Sequence, residues 1–183
     1  GANRQEIMQS MPAGSARNAV DCALWDLELR QGGGDVAATL DLPVPPAPIV
    51  TAMTVGLDTA ENMGRAAAAL AAAPLLKVKV DRRDPGSLMR AVRAAAPKAR
   101  MIVDPNESWT IDEVRDLQEL MIDLKIDLLE QPLPADADRD LVGFRSAIPI
   151  AADEAVHVAA DLDALPDGYG VGNIKLDKTG GLT

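Results

Sequence analysis

Cysteine is almost missing from this chain. Cys22 is the only one in 183 residues, so no internal disulfide can staple the fold. Its neighbours Val20, Ala23 and Leu24 predict a small packing residue with no reactive role. Histidine is equally scarce. His157 stands beyond a strand end without a partner pattern and reads as a surface side chain, not a ligand. Basic residues are outnumbered, 18 Lys and Arg against 28 Asp and Glu, and the net charge of −10 repels nucleic acid and anionic membranes. No apolar run approaches the ~20 residues that cross a bilayer. The first residues hold no basic patch followed by an apolar stretch, which leads to the expectation of a cytoplasmic protein. Neither nucleic acid nor membrane is an expected partner, and a homo-oligomer stays open.

What is present is a chain with 48% apolar residues, long enough to bury one sizeable core. The stretch "ARNAVDCALWDLELR" at 16–30 places Ala16, Val20, Ala23, Leu24 and Leu27 on one helical stripe, and "QGGG" stops it. The proline-rich "LPVPPAP" at 42–48 excludes helix and central strand. Strands and helices then alternate. Strands are predicted at "IVTAMTV" (49–55), "LLKVKV" (75–80), "RMIVD" (100–104), "IDLLE" (126–130), "IPIAAD" (148–153) and "GNIKL" (172–176). Helices are predicted at 59–73, 85–96 and 110–124, in a short piece around 138–147, and at 157–165. This pattern predicts an α/β fold with a parallel sheet covered by helices, either doubly wound or a barrel. No glycine-rich nucleotide fingerprint follows the first strand, which counts against the doubly wound form.

Lys79, Asp104, Glu130, Asp153 and Lys175 follow one another at intervals of 25, 26, 23 and 22 residues, one charged residue closing each of five strands. In a parallel barrel all these strand ends converge on one mouth, where active sites are built. Three carboxylates there repel one another unless a divalent cation joins them, and oxygen-only ligation favours magnesium over zinc. Taken singly, Asp104 and Asp153 also read as helix caps. Lys77 and Lys79, ~6.6 Å apart along one side of their strand, point into the barrel toward the acids. Burial and a like charge next door push a lysine toward its neutral form, so one of the pair can move a proton while the other lends charge. A structural salt-bridged pair is the alternative. "DADRD" at 136–140 is expected to be a solvated helix start, and Trp25 and Trp109 to be packing residues.

At these residues the sequence resembles the enolase superfamily, in its muconate-lactonizing subgroup, and within it the dipeptide epimerases. The matching stretches are "ARNAVDCALWDL", "LLKVKV", "IVDPNESW", "LLEQPLP", "IAADE" and "NIKLDKTGGLT". The resemblance implies a capping domain joined to a modified (β/α)8 TIM-type barrel. It implies magnesium on Asp104, Glu130 and Asp153, with Lys79 and Lys175 as opposed acid/base catalysts. Lys77 would assist in binding the substrate carboxylate and tune Lys79; Lys178 and "TGG" would shape the loop over the substrate. The implied reaction is magnesium-dependent epimerisation of a dipeptide, with L-Ala-D/L-Glu as the expected substrate, by 1,1-proton transfer through an enediolate.

Against that pattern, 1–46 read as the end of a capping region with its connecting helix, and 47–183 as about six of eight βα units. The stretch that would receive the dipeptide's amino group is expected beyond Thr183. Cycloisomerase, o-succinylbenzoate synthase and N-acylamino acid racemase chemistry, or an inactive fragment, remain as alternatives.

Overall fold

The computed structural model describes residues 3–43 and 48–183. Residues 44–47 of the proline-rich connection, and with them the expected boundary at 46/47, lie outside the described residues. In chain order come α1 (Arg4–Ser10), α2 (Ser15–Gly32) and α3 (Val36–Thr39), then β1 (Met53–Val55), α4 (Ala60–Ala69), β2 (Leu75–Lys79) and α5 (Pro85–Ala95). They are followed by β3 (Arg100–Asp104), α6 (Ile111–Asp116), α7 (Gln118–Asp123), β4 (Leu128–Glu130) and a 3-10 turn at Asp138–Leu141. The chain closes with β5 (Ile150–Ala152), a 3-10 turn at Ala159–Ala164, β6 (Val171–Gly172) and α8 (Leu176–Thr179). Two compact units result: one holds Val50–Ala155 and Ala164–Asn173, the other Gly1–Ile49, Val156–Asp163 and Ile174–Thr183.

The first of these units contains the sheet. Its six strands are all parallel and lie side by side in chain order, β1 to β6. A doubly wound sheet reverses direction at a switch point. This one does not, and its order is that of a (β/α) barrel wall.

Parallel partners share a face, and the pairs Lys77↔Ile102, Lys79↔Asp104, Ile102↔Leu128 and Glu130↔Ala151 define one face across four strands. The other face is apolar. Leu76, Val78, Met101, Val103, Leu129 and Ile150 are fully buried there and join Met63 and Ala67 of α4, Met89 and Val92 of α5, Val114 of α6 and Met121 of α7 in one core. Side-chain alternation thus leaves the charged residues of β2 on the face away from the helices. Local signals set the helix starts: the Thr59 hydroxyl accepts from the Asn62 amide, Asp84 caps α5 ahead of Pro85, and Thr110 and Glu113 form a capping box.

Several elements differ from expectation. The strand foreseen from Ile49 starts only at Met53, because β1 is an edge strand whose ladder is limited to its three partners on β2. The helix foreseen over 110–124 divides at Leu117, where the Gln118 side-chain amide takes the Val114 carbonyl at 3.0 Å. The pieces foreseen at 138–147 and 157–165 are 3-10 turns. Asp138, expected in solvent, is buried, and burial pushes its carboxyl above the ordinary range. β6 ends at Gly172, since its partner β5 ends at Ala152, so Lys175 does not close a strand.

In the other unit α2 also corrects the expected burial. Its buried positions are Arg17, Asp21 and Trp25, while Leu27 of the apolar stripe is 49% exposed. Cys22 is exposed, not packed, and its thiol donates to Asn18 Oδ1 at 3.4 Å. His157 is exposed as expected, and Trp25 and Trp109 are buried.

Among the described residues β1 and β6 each pair on one side only, and Ile49 (89%), Val50 (51%) and Met53 (43%) are exposed near the β1 edge. Open strand edges beside apolar surface template association. The isolated 183-residue chain is therefore expected to elute as oligomers in size-exclusion chromatography with light scattering; a monodisperse, cooperatively melting monomer would contradict this.

Candidate active site

Period-two alternation on β2 sends Lys77 and Lys79 to the same face, and the register brings Asp104 beside Lys79. The Lys77 ammonium lies 2.8 Å from Asp104 Oδ2 and 2.8 Å from Glu130 Oε1. The Lys79 ammonium lies 2.7 Å from Asp104 Oδ2 and also donates to Asn106 Oδ1. Both carboxylates are nearly inaccessible, Asp104 at 1% and Glu130 at 4%. Burial alone would drive Lys77 toward its neutral form. The hydrogen bonds that Lys77 donates to Asp104 and Glu130 outweigh it and hold the Lys77 pKa above the ordinary lysine value. Lys77 therefore keeps its charge, because its nearest neighbours are the Asp104 and Glu130 carboxylates.

Asp153 follows β5 directly and is 1% exposed. Its backbone N–H donates to Gln131 Oε1 at 2.8 Å, and that of Ala155 does so at 3.1 Å. The Gln131 amide nitrogen donates to Leu133 O at 2.9 Å and to the Tyr169 hydroxyl at 2.8 Å. This fully buried side chain has all four hydrogen-bonding positions filled, and so fixes the loop ends after β4 and β5 to each other. Burial, with the Asp138 carboxylate nearby, pushes the Tyr169 phenol far above its usual range and keeps it neutral for this contact.

Further polar groups complete the face. Asn173 Nδ2 donates to Glu130 Oε1 at 2.7 Å. The Asn106 backbone N–H donates to Asp104 Oδ1 at 2.9 Å and its side chain to Glu154 Oε1 at 3.3 Å, while Glu154 Oε2 is buried without a hydrogen-bond partner. Asp104 thus binds two ammonium groups and its own loop; the cap that starts α6 is Thr110 instead.

Among the described residues, no three His, Cys, Asp or Glu side chains are gathered tightly enough to hold a metal ion as they stand. What the strand ends do supply is oxygen-only donor chemistry of the kind hard divalent cations take: three buried carboxylates at or just after adjacent strands, two of them sharing the Lys77 cation. The remaining expected residue, Lys175, belongs to the other unit. It is extended (φ −124°, ψ 127°) at the N-terminal end of α8, and its carbonyl accepts from the Lys178 and Thr179 amides, both at 3.0 Å.

Residues 58–183 match the family described as enolase C-terminal domain-like. The chain belongs to that family. Among curated relatives, the L-Ala-D/L-Glu epimerase of Escherichia coli (strain K12) is 45% identical over 100% of this chain and 57% of its own length. N-acetyl-D-glutamate racemase of a Pseudoalteromonas species is 44% identical over 97% of this chain and 56% of its own. The chain therefore spans little more than half the length of these relatives.

Solved enolase-family structures agree. One from Agrobacterium tumefaciens, described as homologous to dipeptide epimerases and holding sodium and L-Ala-L-Glu, superposes with a TM-score of 0.93 at 49% identity, covering 100% of this chain and 56% of that one. A dipeptide epimerase from Methylococcus capsulatus complexed with magnesium and L-Arg-D-Lys gives 0.83 at 33% identity, covering 98% and 53%.

Proposed function

We propose that the full-length protein carrying this chain is a magnesium-dependent dipeptide epimerase, inverting the carbon alpha to a carboxylate, with L-Ala-D/L-Glu as its substrate. The observation that carries the reading is the charged face itself: two lysines of one strand held against the buried carboxylates of the next strand ends. The 45% identity to an Ala-Glu epimerase supports the choice of substrate.

In this reading Asp104, Glu130 and Asp153 hold magnesium. When bound, the ion supplies positive charge against the charge that develops on the substrate carboxylate as the alpha proton leaves. Lys79 takes or returns that proton on one face of the carbon, and Lys175 does so on the other. Lys77 stays protonated and lends charge to the substrate carboxylate. Asn106 keeps the Lys79 ammonium directed, and Asn173 orients the Glu130 carboxylate. Residues 1–46 are the end of a capping region with its connecting helix.

A second reading, racemisation of an N-acylated amino acid, is favoured by the 44% identity to N-acetyl-D-glutamate racemase. Both need the same lysines and differ in the group on the substrate nitrogen. The test is alpha-proton exchange in deuterated water with magnesium, followed by mass spectrometry, on L-Ala-L-Glu, L-Ala-D-Glu and N-acetylglutamate. Exchange and inversion of the dipeptides, with N-acetylglutamate slower, are expected. Faster turnover of N-acetylglutamate would install the second reading, and no exchange of any would remove both.

A further inference from the structure

Helix α2 buries a line of side chains that the proposed chemistry leaves unused. Arg17, Asp21 and Trp25 stand four residues apart on one helical face and are the buried residues of α2. All three grip the segment that follows Lys175. Arg17 donates to the Thr179 carbonyl at 2.6 Å, to the Gly180 carbonyl at 3.0 Å and to the Met11 carbonyl at 3.1 Å. The Asp21 carboxylate, 0% exposed, accepts from the Leu182 amide at 2.7 Å, from the Thr183 amide at 3.1 Å and from the Thr183 hydroxyl. Trp25 Nε1 donates to Thr183 Oγ1 at 2.9 Å, and the Arg4 guanidinium stacks 3.7 Å above the Trp25 ring.

The fit is close. Gly180 (φ 88°) and Gly181 (φ 128°) adopt backbone conformations that side chains resist, and a Cβ on either would collide with Arg17 or Asp21. Between this grip and Lys175 lies only α8, four residues long. A single turn does not hold itself together in water, because nucleation is costly and few bonds repay it. A buried guanidinium on its last carbonyls supplies the missing partners and opposes the helix dipole. The same turn holds the Lys175 carbonyl through the Lys178 and Thr179 amides.

We infer that Arg17, Asp21 and Trp25 are positioning residues for Lys175: by anchoring residues 179–183 they fix the turn whose first residue carries the second proton-transferring amine. This rests on the reading in which Lys175 transfers a proton. It gives the N-terminal helix a part in one half of the reaction, since Lys79 is set by the sheet and owes nothing to the grip.

The test uses the full-length protein and two variants, Asp21→Asn and the milder Thr183→Val, which keeps side-chain shape and removes only the hydroxyl. Alpha-proton exchange is measured separately on each epimer, and the epimer served by Lys175 is the one whose exchange Lys175→Ala abolishes. Displacing a catalytic group by about 1 Å costs up to about 100-fold, so Asp21→Asn is expected to slow that epimer by about tenfold or more and the opposite epimer by less than about twofold. Limiting acetylation with acetic anhydride, read by mass spectrometry, is expected to show a changed Lys175 to Lys79 labelling ratio in both variants, with Lys79 itself unchanged. Equal slowing of both epimers, or an unchanged labelling ratio in both variants, overturns the inference. If the wild-type protein exchanges no alpha proton, the epimerase reading fails and the labelling ratio decides the anchoring role. If Asp21→Asn does not fold, Thr183→Val decides it.

Discussion

Lys79→Ala and Lys175→Ala are each expected to abolish net epimerisation in the full-length protein while sparing one half of the proton chemistry. Inversion needs one group to remove the alpha proton from one side and another to return a proton from the other. Losing a general acid or base costs about 10²–10⁴-fold, so two-way turnover in either variant drops by at least that factor. The remaining lysine still reaches one epimer. In deuterated water Lys79→Ala should exchange the alpha proton of one epimer only, and Lys175→Ala that of the other. Lys77→Ala should behave differently: its ammonium holds Asp104 and Glu130 together, and its loss should slow both epimers alike. If both single-lysine variants still invert the centre, the two-base assignment is wrong.

Removing one carboxylate at a time is expected to give the second large effect. Replacing a group that only hydrogen-bonds to a metal's ligand already costs about 10–100-fold in affinity, so losing a ligand should cost no less. Asp104→Asn, Glu130→Gln and Asp153→Asn are thus each expected to weaken magnesium binding by at least about tenfold in calorimetric titration of the full-length protein. They should differ without metal. Asp104 Oδ2 pairs with both Lys77 and Lys79, whereas Glu130 pairs with Lys77, so the Asp104 variant should lose more stability than the Glu130 variant, roughly 3 kcal/mol for breaking a buried ion pair. Unchanged magnesium affinity in all three variants would leave these acids only a structural role.

Much of this was legible in the residues because it rests on period and spacing. The alternation of β2 announced two lysines on one face, and intervals close to one βα unit announced a run of polar strand ends; the sheet has both. What stayed hidden depends on contacts between distant positions. Gln131 follows Glu130 directly, yet nothing local reveals that its amide joins two loop ends and Tyr169. Asn173 had a usable signal, since it sits two residues before Lys175 and period two places both on one side of an extended chain. The misreading of α2 has a different cause. Its apolar residues follow helical spacing, but the face that is buried carries Arg17 and Asp21, whose burial is made tolerable by hydrogen bonds with Met11 and residues 179–183. The carboxylates that hold the Lys77 charge come from two other strands, so its own stretch could not reveal them.

Each strand of the sheet pairs only with the strand before and the strand after it in the chain. During synthesis, which releases a chain from its N-terminal end, such an order lets every new βα unit dock on a wall that already exists. Among these six strands the partners arrive in chain order, and no loop must thread between strands already laid down. Growth by addition at one edge also means that this edge is always the newest and least protected part of the molecule. A pause in translation exposes whichever strand has just emerged, and that moment, more than the finished fold, is when a chaperone would be needed.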